Sequence, residues 1–295
     1  MSAAVKTERC PACAELGKDT AGDNLTVFPS GKFHCIAAGK DKAHNARIIQ
    51  LRPELGSPPT PFAGKSKPDD DAARKRASWP DFETGSHCDF LTVSNLRGIA
   101  IEGIELASER GLLRFADRRN FPCWIVTDSR RLNAQARRMD GLPFIVEGES
   151  RKAITLPGSR AGIPIGLREA TEFPAVAIVE GGPDLLAAHG CMWAEGRQDV
   201  AAVAMLGAGN RPSVAAWLPL KGKRVRVYCH RDTAGMEAGK AWGKAILEAG
   251  AAKIDGFRFD GLRKVDGLPV EDLNDLLALD PDDFEARRDV WEILP

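Results

Sequence analysis

The stretch Ala175-Val-Ala-Ile-Val179-Glu180-Gly-Gly-Pro-Asp184 decides the fold class of the chain. Its five uninterrupted apolar residues predict a strand that is buried on both faces. Two glycines then permit a tight turn, and the proline suits the first turn of a helix, so we expect a helix over Asp184–His189. A buried strand that leads directly into a helix is typical of a parallel α/β sheet.

The same alternation continues downstream of this stretch. Further apolar strands are predicted over 200–206, 224–228 and 254–259, and a helix is predicted over 236–249. Repeated strand–helix units give a mostly parallel sheet that is covered by helices on both faces. Such sheets bind ligands beyond the carboxyl ends of their strands. We therefore expect a site at that edge of the sheet.

Acidic residues gather at the predicted strand ends. Glu180 follows the first strand, Asp232 follows the strand that ends at Tyr228, and Asp272 and Asp275 lie in a predicted acidic helix start over 271–277. Carboxylates brought together repel one another unless a cation binds, and oxygen ligands suit Mg²⁺ or Mn²⁺. Such an ion can hold a nucleoside triphosphate and stabilise charge in phosphoryl transfer. The pattern predicts a catalytic divalent-metal site.

Basic residues concentrate just before this region. The chain carries 41 basic and 41 acidic residues, but residues 89–168 hold 13 basic and 9 acidic ones. Seven arginines are opposed only by Asp117 and Asp128: Arg114, Arg118, Arg119, Arg130, Arg131, Arg137 and Arg138. Because a guanidinium bonds two phosphate oxygens at once, this segment is predicted to hold a single-stranded DNA template or a nucleoside triphosphate. The alternative is a solvated face whose arginines pair with local acids.

Three cysteines near the N-terminus have the spacing of metal ligands: Cys10, Cys13 and Cys35. The first two form a C-x-x-C knuckle, and a predicted hairpin over 23–35 returns the third to it. A regular zinc ribbon has a fourth thiol where this chain has Ala38. We expect His44 to be the fourth ligand of a structural zinc ion, with His34 as the rival. A strand directs His34 away from its cysteine neighbour, which favours His44. The alternative is that the thiols hold no metal.

These features divide the chain into five predicted segments. They are a zinc ribbon (1–52), a linker rich in proline and charge (53–88), a basic α+β subdomain (89–168), the α/β domain (169–281) and a C-terminal tail (282–295). Six prolines and few large apolar residues over 53–81 predict an extended, largely disordered tether.

The downstream half resembles the TOPRIM domain of bacterial-type DNA primases, topoisomerases and some nucleases. The resemblance rests on three motifs in order: Glu180-Gly181-x-x-Asp184, His230-x-Asp232-x-x-Gly235 and Asp272-Leu273-Asn274-Asp275-Leu276-Leu277. A zinc ribbon and a basic segment ahead of such a domain give the order of bacterial and phage primases, which implies that residues 89–168 are a polymerase-type subdomain. The resemblance covers most of the chain and implies a primase-type architecture.

The resemblance also implies roles for individual residues. Glu180 would be a metal ligand or general base, Asp232 the second metal ligand, and Asp184 would stabilise the turn after Glu180; Asp272 and Asp275 would complete the catalytic group. Where the family has an aspartate, this chain has His230, and histidine binds Mn²⁺ through nitrogen but is a poor ligand for Mg²⁺. The site is therefore expected to prefer manganese, or to be weakened or inactive.

Three functions follow from this interpretation. The first is a primase-like nucleotidyltransferase that makes short RNA primers on single-stranded DNA for a phage or mobile element, with a replicative helicase as a candidate partner. The second is a metal-dependent nuclease on the same fold. The third is a catalytically inactive nucleic-acid-binding module. A topoisomerase is disfavoured because the sole tyrosine, Tyr228, lies inside a predicted strand.

The sequence shows no pattern for membrane insertion or for a helicase motor. No stretch approaches the roughly 18 apolar residues of a membrane helix, and the N-terminus has no apolar signal core. No G-x-x-x-x-G-K-[ST] motif occurs. We expect a cytoplasmic protein of a bacterial or phage-infected cell, with no membrane partner.

Overall fold

The computed structural model describes residues 6–27, 33–38, 41–55, 70–279 and 293–295. The chain forms two compact units, Met1–Pro68 and Asp69–Pro295. Most of the tail predicted over 282–295 lies outside the described residues. Among the residues that are described, no helix is long and apolar enough to cross a membrane.

The first unit is a small antiparallel sheet with two helices. Its elements are β1 (Lys6–Glu8), α1 (Pro11–Glu15), β2 (Leu25–Val27), β3 (Phe33–Cys35) and α2 (Lys42–Leu51), followed by a 3-10 turn at Pro53–Leu55. The strands pair in the order β1-β2-β3, and Leu25 lies opposite Cys35 in the predicted hairpin. α2 begins after Asp41, whose carboxylate accepts hydrogen bonds from two backbone N–H groups of the first turn.

The upstream part of the second unit combines three helices with an antiparallel sheet. The helices are α3 (Asp70–Ala77), α4 (His87–Arg97) and α5 (Ile101–Glu109). The strands are β4 (Leu113–Arg118), β5 (Phe121–Thr127), β6 (Ala134–Arg138), β7 (Phe144–Val146), β8 (Glu149–Arg151) and β9 (Ile154–Thr155). One sheet has the order β4-β5-β6-β9, and β7 pairs with β8. A capping box of Ser86 and Asp89 starts α4, and Gly98, with a φ of 64°, ends it.

Four parallel strands form the centre of the downstream part. They are β10 (Ala175–Val179), β11 (Val200–Ala204), β12 (Arg224–Tyr228) and β13 (Lys253–Gly256), in the order β11-β10-β12-β13. Helix α6 (Gly182–Ala194) follows β10, and α7 (Thr233–Glu248) follows β12. This arrangement confirms the predicted fold class, an α/β protein whose parallel sheet is flanked by helices.

The central strand β10 is buried on both faces, as its apolar run predicts. Ala177 and Val179 belong to one core cluster, together with residues of α5, α6 and β5. Val176 and Ile178 belong to a second cluster, together with Trp242 of α7. Because side chains alternate along a strand, one strand supplies both cores. The first core packs the antiparallel sheet against the parallel one and so places the basic segment beside the strand ends.

Two glycines let α5 approach α6 closely. A Cβ atom added to Gly103 would lie 2.5 Å from the Cα atom of Gly190, so no larger residue fits at this crossing without moving a helix. Nearby, a Cβ atom added to Gly182 at the start of α6 would lie 3.4 Å from the ring of Trp124 in β5. The turn after β10 is therefore held directly against the antiparallel sheet.

Two segments differ from their predictions. Of the tether predicted over 53–81, residues 56–69 lie outside the described residues. The described part is not all extended, because α3 forms within it and Trp79 is 5% exposed in a core cluster. The Trp79 indole N–H donates a hydrogen bond to the carbonyl of Pro157 at 2.6 Å, and burial of this ring offsets the entropy of ordering the chain. The helix start predicted over 271–277 is instead a turn that leads into a 3-10 segment, Asp275–Ala278.

Candidate active-site cleft and metal-binding cluster

The first unit brings together the four residues predicted as zinc ligands: Cys10, Cys13, Cys35 and His44. Sγ of Cys10 lies 3.4 Å from Nε2 of His44, and Sγ of Cys13 lies 3.5 Å from both Sγ of Cys35 and Nε2 of His44. With Zn–S bonds of about 2.3 Å, tetrahedral sulfur ligands lie about 3.8 Å apart. The observed separations are close to this geometry, so the cluster could hold a zinc ion.

The local fold holds these ligands in place. The buried carboxylate of Asp19 accepts hydrogen bonds from the backbone N–H groups of Cys10 and Gly22, which fixes the knuckle. His34 is exposed, so the structure brings His44 and not His34 to the thiols. Burial raises the pKa of the Cys13 thiol to about 12, and the neighbouring thiols add to this effect. Thiols crowded in this way require a bound cation to become thiolates together.

A cleft of about 570 Å³ lies beyond the carboxyl ends of β10 and β12 in the second unit. One side carries acidic residues and a histidine from the turns after these strands and from the 272–275 turn. The other side carries arginines from α4 and β6. This is the edge of the sheet at which the strand order predicts a ligand.

His230 lies at the centre of the acidic side. Its Nε2 atom is 3.2 Å from Oδ2 of Asp184 and 3.9 Å from Oδ2 of Asp272. Its Nδ1 atom is 3.7 Å from Oε1 of Glu180. The ligand atoms of Asp184, His230 and Asp272 all lie within 4.8 Å of one another, which is close enough for them to share one metal ion.

Asp184 has two roles in this arrangement. Its Oδ2 atom accepts a hydrogen bond from the backbone N–H of Gly181 at 3.2 Å, which stabilises the turn after β10. Its Oδ1 atom accepts one from the backbone N–H of Asn274 at 3.3 Å. The side chain is 4% exposed and still reaches His230, so the turn and the cleft share one carboxylate.

Burial and neighbouring charges shift the ionisation of this group. The hydrogen bond with Asp184 raises the pKa of His230 to about 9, and the charges of Glu180 and Asp272 act in the same direction. Burial raises the pKa of Asp272 to about 6, and the charge of Asp184 adds to it. Burial also raises the pKa of Glu180, which the charge of His230 partly offsets. The carboxylates around His230 thus favour its charged imidazolium form.

Asp232 and Asp275 make other contacts. The carboxylate of Asp232 is exposed and caps α7 by accepting a hydrogen bond from the backbone N–H of Gly235 at 2.7 Å. The carboxylate of Asp275 lies 3.3 Å from Nζ of Lys264 and accepts a hydrogen bond from the backbone N–H of Glu271. The structure therefore groups Asp184, His230 and Asp272, and leaves Asp232 outside this cluster.

Two arginines form the cationic side of the cleft. The guanidinium carbons of Arg97 and Arg137 lie 5.4 and 5.8 Å from the ring centre of Trp124. Their Nε atoms are buried and have no hydrogen-bond partner among the described residues. Burial lowers the pKa of Arg97, and it lowers the pKa of Arg137 to about 10, while Asp184 and Asp272 counteract both shifts. These desolvated cations face an acidic cluster across the cleft.

The seven predicted arginines do not form one surface. Arg137 lines the cleft, whereas the neighbouring Arg138 pairs with Asp140 and lies 3.5 Å from the ring centre of Phe121. Adjacent residues of a strand point to opposite faces, and both arginines belong to β6, which explains the separation. Arg137 and Arg138 therefore cannot bind the same ligand in the cleft.

The other five arginines also lie outside the lining of the cleft. Arg114 donates hydrogen bonds to the carbonyls of Ser108 and Leu113. Arg131 donates to the carbonyl of Pro80 and covers the ring of Phe82. The remaining three lie at a strand end or in loops: Arg118, Arg119 and Arg130.

Sequence reasoning missed several residues of the cleft. Arg97 ends α4, Lys152 follows β8, and Lys264 lies in the loop after β13; all three line the cleft. None of the three belongs to a sequence motif, so the sequence does not distinguish them from lysines and arginines elsewhere on the surface. Asn274 also lines the cleft, and its position inside the Asp272–Leu277 motif is the sequence feature that indicates its place there.

Comparisons with known proteins give structural similarity only. No protein-family model matches the sequence, and no curated protein matches it significantly. The crystal structure of the primase fragment of the bacteriophage T7 primase-helicase protein matches with a TM-score of 0.41 and 14% identity, over 92% of this chain and 94% of that chain. A structure of bacteriophage T7 lagging-strand DNA polymerase interacting with primase domains of two gp4 subunits matches with a TM-score of 0.42 and 16% identity, over 67% and 89%. At TM-scores this low, the similarity carries no argument about the activity of this chain.

Proposed function

We propose that this chain is a primase-like nucleotidyltransferase that joins nucleoside triphosphates into short RNA primers on single-stranded DNA. The observation that carries the proposal is the cleft, in which Asp184, His230 and Asp272 face Arg97 and Arg137. A triphosphate that reacts at its α-phosphate needs a cation beside the reacting oxygens and further cations along its phosphates. A divalent ion held by the acidic side would meet the first requirement, and Arg97 and Arg137 would meet the second.

The cluster of Asp184, His230 and Asp272 fits a divalent cation. Its ligand atoms lie within 4.8 Å of one another, and carboxylate and imidazole donors suit Mg²⁺ or Mn²⁺ to different degrees. A bound ion would supply charge neutralisation and Lewis-acid polarisation of the phosphate oxygens.

The residues of the chain itself would bind and orient the nucleotide. Arg97 and Arg137 would each donate hydrogen bonds to phosphate oxygens, and the ring of Trp124 beneath them restricts both guanidinium groups. The triphosphate would then lie with its α-phosphate in line with the 3′-hydroxyl of the growing primer. Attack by the hydroxyl oxygen on the α-phosphorus would form the new phosphodiester bond and break the bond to the bridging oxygen of the β-phosphate. Pyrophosphate would leave, and the hydroxyl proton would pass to solvent. Positioning and charge stabilisation supply most of the rate enhancement in such reactions.

The first unit would contact the single-stranded DNA template. This part of the proposal comes from the resemblance to primases, as does the expectation of a replicative helicase as partner. The cluster of Cys10, Cys13, Cys35 and His44 would serve as a structural zinc site, because all four positions are occupied by protein ligands and none is left open for a substrate.

A primer-synthesis assay tests the proposal. The full chain is incubated with single-stranded DNA, labelled nucleoside triphosphates and either Mn²⁺ or Mg²⁺. We expect short RNA products that require template and metal, and we expect Asp272→Asn to remove them. Asp260→Asn is the matched control, because Asp260 is exposed and does not line the cleft.

The same assay separates the alternative functions. Cleavage of the DNA without nucleotides would favour a nuclease on this fold. Salt-dependent DNA binding without products in either metal would favour an inactive binding module. Undiminished synthesis by Asp272→Asn would show that another site is responsible.

A further inference from the structure

We infer that the cleft holds a nitrogen-containing metal site that selects Mn²⁺ over Mg²⁺, with Asp184, His230 and Asp272 as ligands and Glu180 as the carboxylate that orients His230. This inference deepens the proposed function and rests on it for the use of the ion. It replaces the ligand pair predicted from sequence, Glu180 and Asp232.

The position of the His230 Nε2 atom supports a shared ion. This nitrogen is 3.2 Å from one carboxylate oxygen of Asp184 and 3.9 Å from one of Asp272. Ligands that bind one ion at about 2.1 Å lie about 3.0 Å apart when they occupy adjacent octahedral positions. Side-chain shifts of less than about an ångström would therefore bring all three donors to one ion.

The second ring nitrogen of His230 faces a different carboxylate. Nδ1 lies 3.7 Å from Oε1 of Glu180, at ion-pair distance. Glu180 is 13% exposed, and its Oε2 atom is buried with no hydrogen-bond partner among the described residues, so it retains accepting capacity. When a histidine binds a metal through one nitrogen, the other usually donates its N–H to a carboxylate or carbonyl. A side-chain shift of about an ångström would bring Glu180 into hydrogen-bond range of Nδ1, from where it would direct the Nε2 lone pair toward the ion.

Asp232 lies outside the cluster of Asp184, His230 and Asp272. Its Oδ1 atom accepts the hydrogen bond from Gly235 that starts α7, and the residue is exposed. Asparagine caps helices as well as aspartate does. Asp232→Asn therefore removes the carboxylate without removing the cap, which makes it a sharp control.

The donor set favours a transition-metal ion. Mg²⁺ prefers oxygen ligands and retains water, whereas an imidazole nitrogen raises affinity for Mn²⁺ and for later divalent metals. Three protein donors leave about three octahedral positions for water or phosphate oxygens. The two aspartates would neutralise the charge of the ion. The negative charge of a bound triphosphate would then have to be neutralised by Arg97 and Arg137.

Pulsed electron paramagnetic resonance of the zinc-loaded full chain with one equivalent of Mn²⁺ tests the inference directly. We expect a nitrogen hyperfine coupling of the size given by a coordinated imidazole. Its absence from the bound Mn²⁺ signal would overturn the assignment of His230 as a ligand. This measurement uses the unaltered chain, so it does not depend on the folding of a variant.

Competition between Mn²⁺ and Mg²⁺ tests the selectivity. We expect His230→Asp to lower the ratio of Mn²⁺ to Mg²⁺ affinity by about tenfold or more, and Glu180→Gln to weaken Mn²⁺ binding by about tenfold. Asp232→Asn should change Mn²⁺ affinity by less than about threefold. An unchanged ratio in His230→Asp, or a loss in Asp232→Asn as large as in Asp184→Asn, would overturn the ligand set. A nitrogen-coordinated Mn²⁺ in a chain that makes no primers would support the inference while contradicting the proposed function.

Discussion

The side-chain amide of Asn274 donates a hydrogen bond to the backbone carbonyl of Arg97 at 2.9 Å, while its backbone N–H donates to the carboxylate of Asp184 at 3.3 Å. One residue thus links the end of α4, which carries Arg97 of the cleft, to the turn that carries Asp184 of the acidic cluster. The width of the cleft therefore depends on Asn274.

Asn274→Ala should impair the site more than it impairs the fold. Loss of one half-buried hydrogen bond costs about 1 kcal/mol of unfolding free energy, and the Arg97 carbonyl is left without this partner. Without this hydrogen bond the end of α4 is free to move, and Arg97 moves with it. Nucleotide binding should therefore weaken by about tenfold, because the position of Arg97 in the cleft is no longer fixed. Denaturant unfolding and nucleotide titration measure the two effects. Asn95→Ala, at an exposed position of the same helix, is the control and should change neither.

Arg97→Gln should reduce affinity for a nucleoside triphosphate by about tenfold or more, because it removes a half-buried cation that would face the phosphates in the proposed complex. Trp124 lies against this guanidinium, so its fluorescence should report the binding. Arg130→Gln serves as the comparison, since Arg130 is exposed and outside the cleft lining. Equal losses in both variants would indicate a diffuse charge effect and not a site.

The thiol cluster should bind one zinc ion per chain. His44→Ala should lower the zinc content and unfold the first unit, because so small a core depends on its metal. His34→Ala should retain the metal, since that side chain is exposed. Elemental analysis of the purified variants distinguishes the two histidines. Full zinc content in His44→Ala would show that another residue completes the site.

Stability should fall as the pH drops from about 6.5 to about 4, in part because of His189. Burial lowers the pKa of this histidine to about 4 from 6.5, so the unfolded chain takes up a proton in this range and the folded chain does not. The imidazole is fully buried, with Nδ1 2.7 Å from the carbonyl of Leu185. Its contribution is on the order of 3 kcal/mol, present above pH 6.5 and lost progressively below it.

Unfolding at pH 5 and pH 7.5 in the wild type and in His189→Gln measures this contribution, because glutamine does not titrate. The variant should show a smaller difference in unfolding free energy between the two conditions. The same difference in both proteins would assign the pH dependence to other groups.

The sheet could be predicted from sequence because its determinants are local. The apolar run over 175–179 is buried on both faces, and the motifs after β10 and β12 do meet at one edge. The four zinc-ligand candidates could be named for the same reason, since knuckle spacing and strand alternation are short-range properties.

The composition of the cleft could not be predicted in the same way. Nothing in the sequence distinguishes Arg97 from the other arginines. It becomes part of the cleft only because α4 packs beside the strand ends. The seven arginines form a charge run in the sequence, but strand alternation sends Arg137 and Arg138 to opposite faces of β6. Asp232 has motif spacing, and the sequence does not reveal that its carboxylate also caps α7.

The most direct test of the central claim compares primer synthesis by the wild type, Arg137→Gln and Arg138→Gln on the same DNA template with Mn²⁺. These adjacent arginines differ mainly in the face of β6 from which they project, so general charge effects cancel. We predict that Arg137→Gln loses about a hundredfold in rate while Arg138→Gln stays within about threefold of the wild type. A wild-type rate in Arg137→Gln, or no product from any of the three when zinc content and fold are intact, would contradict the assignment of this cleft to nucleotide joining.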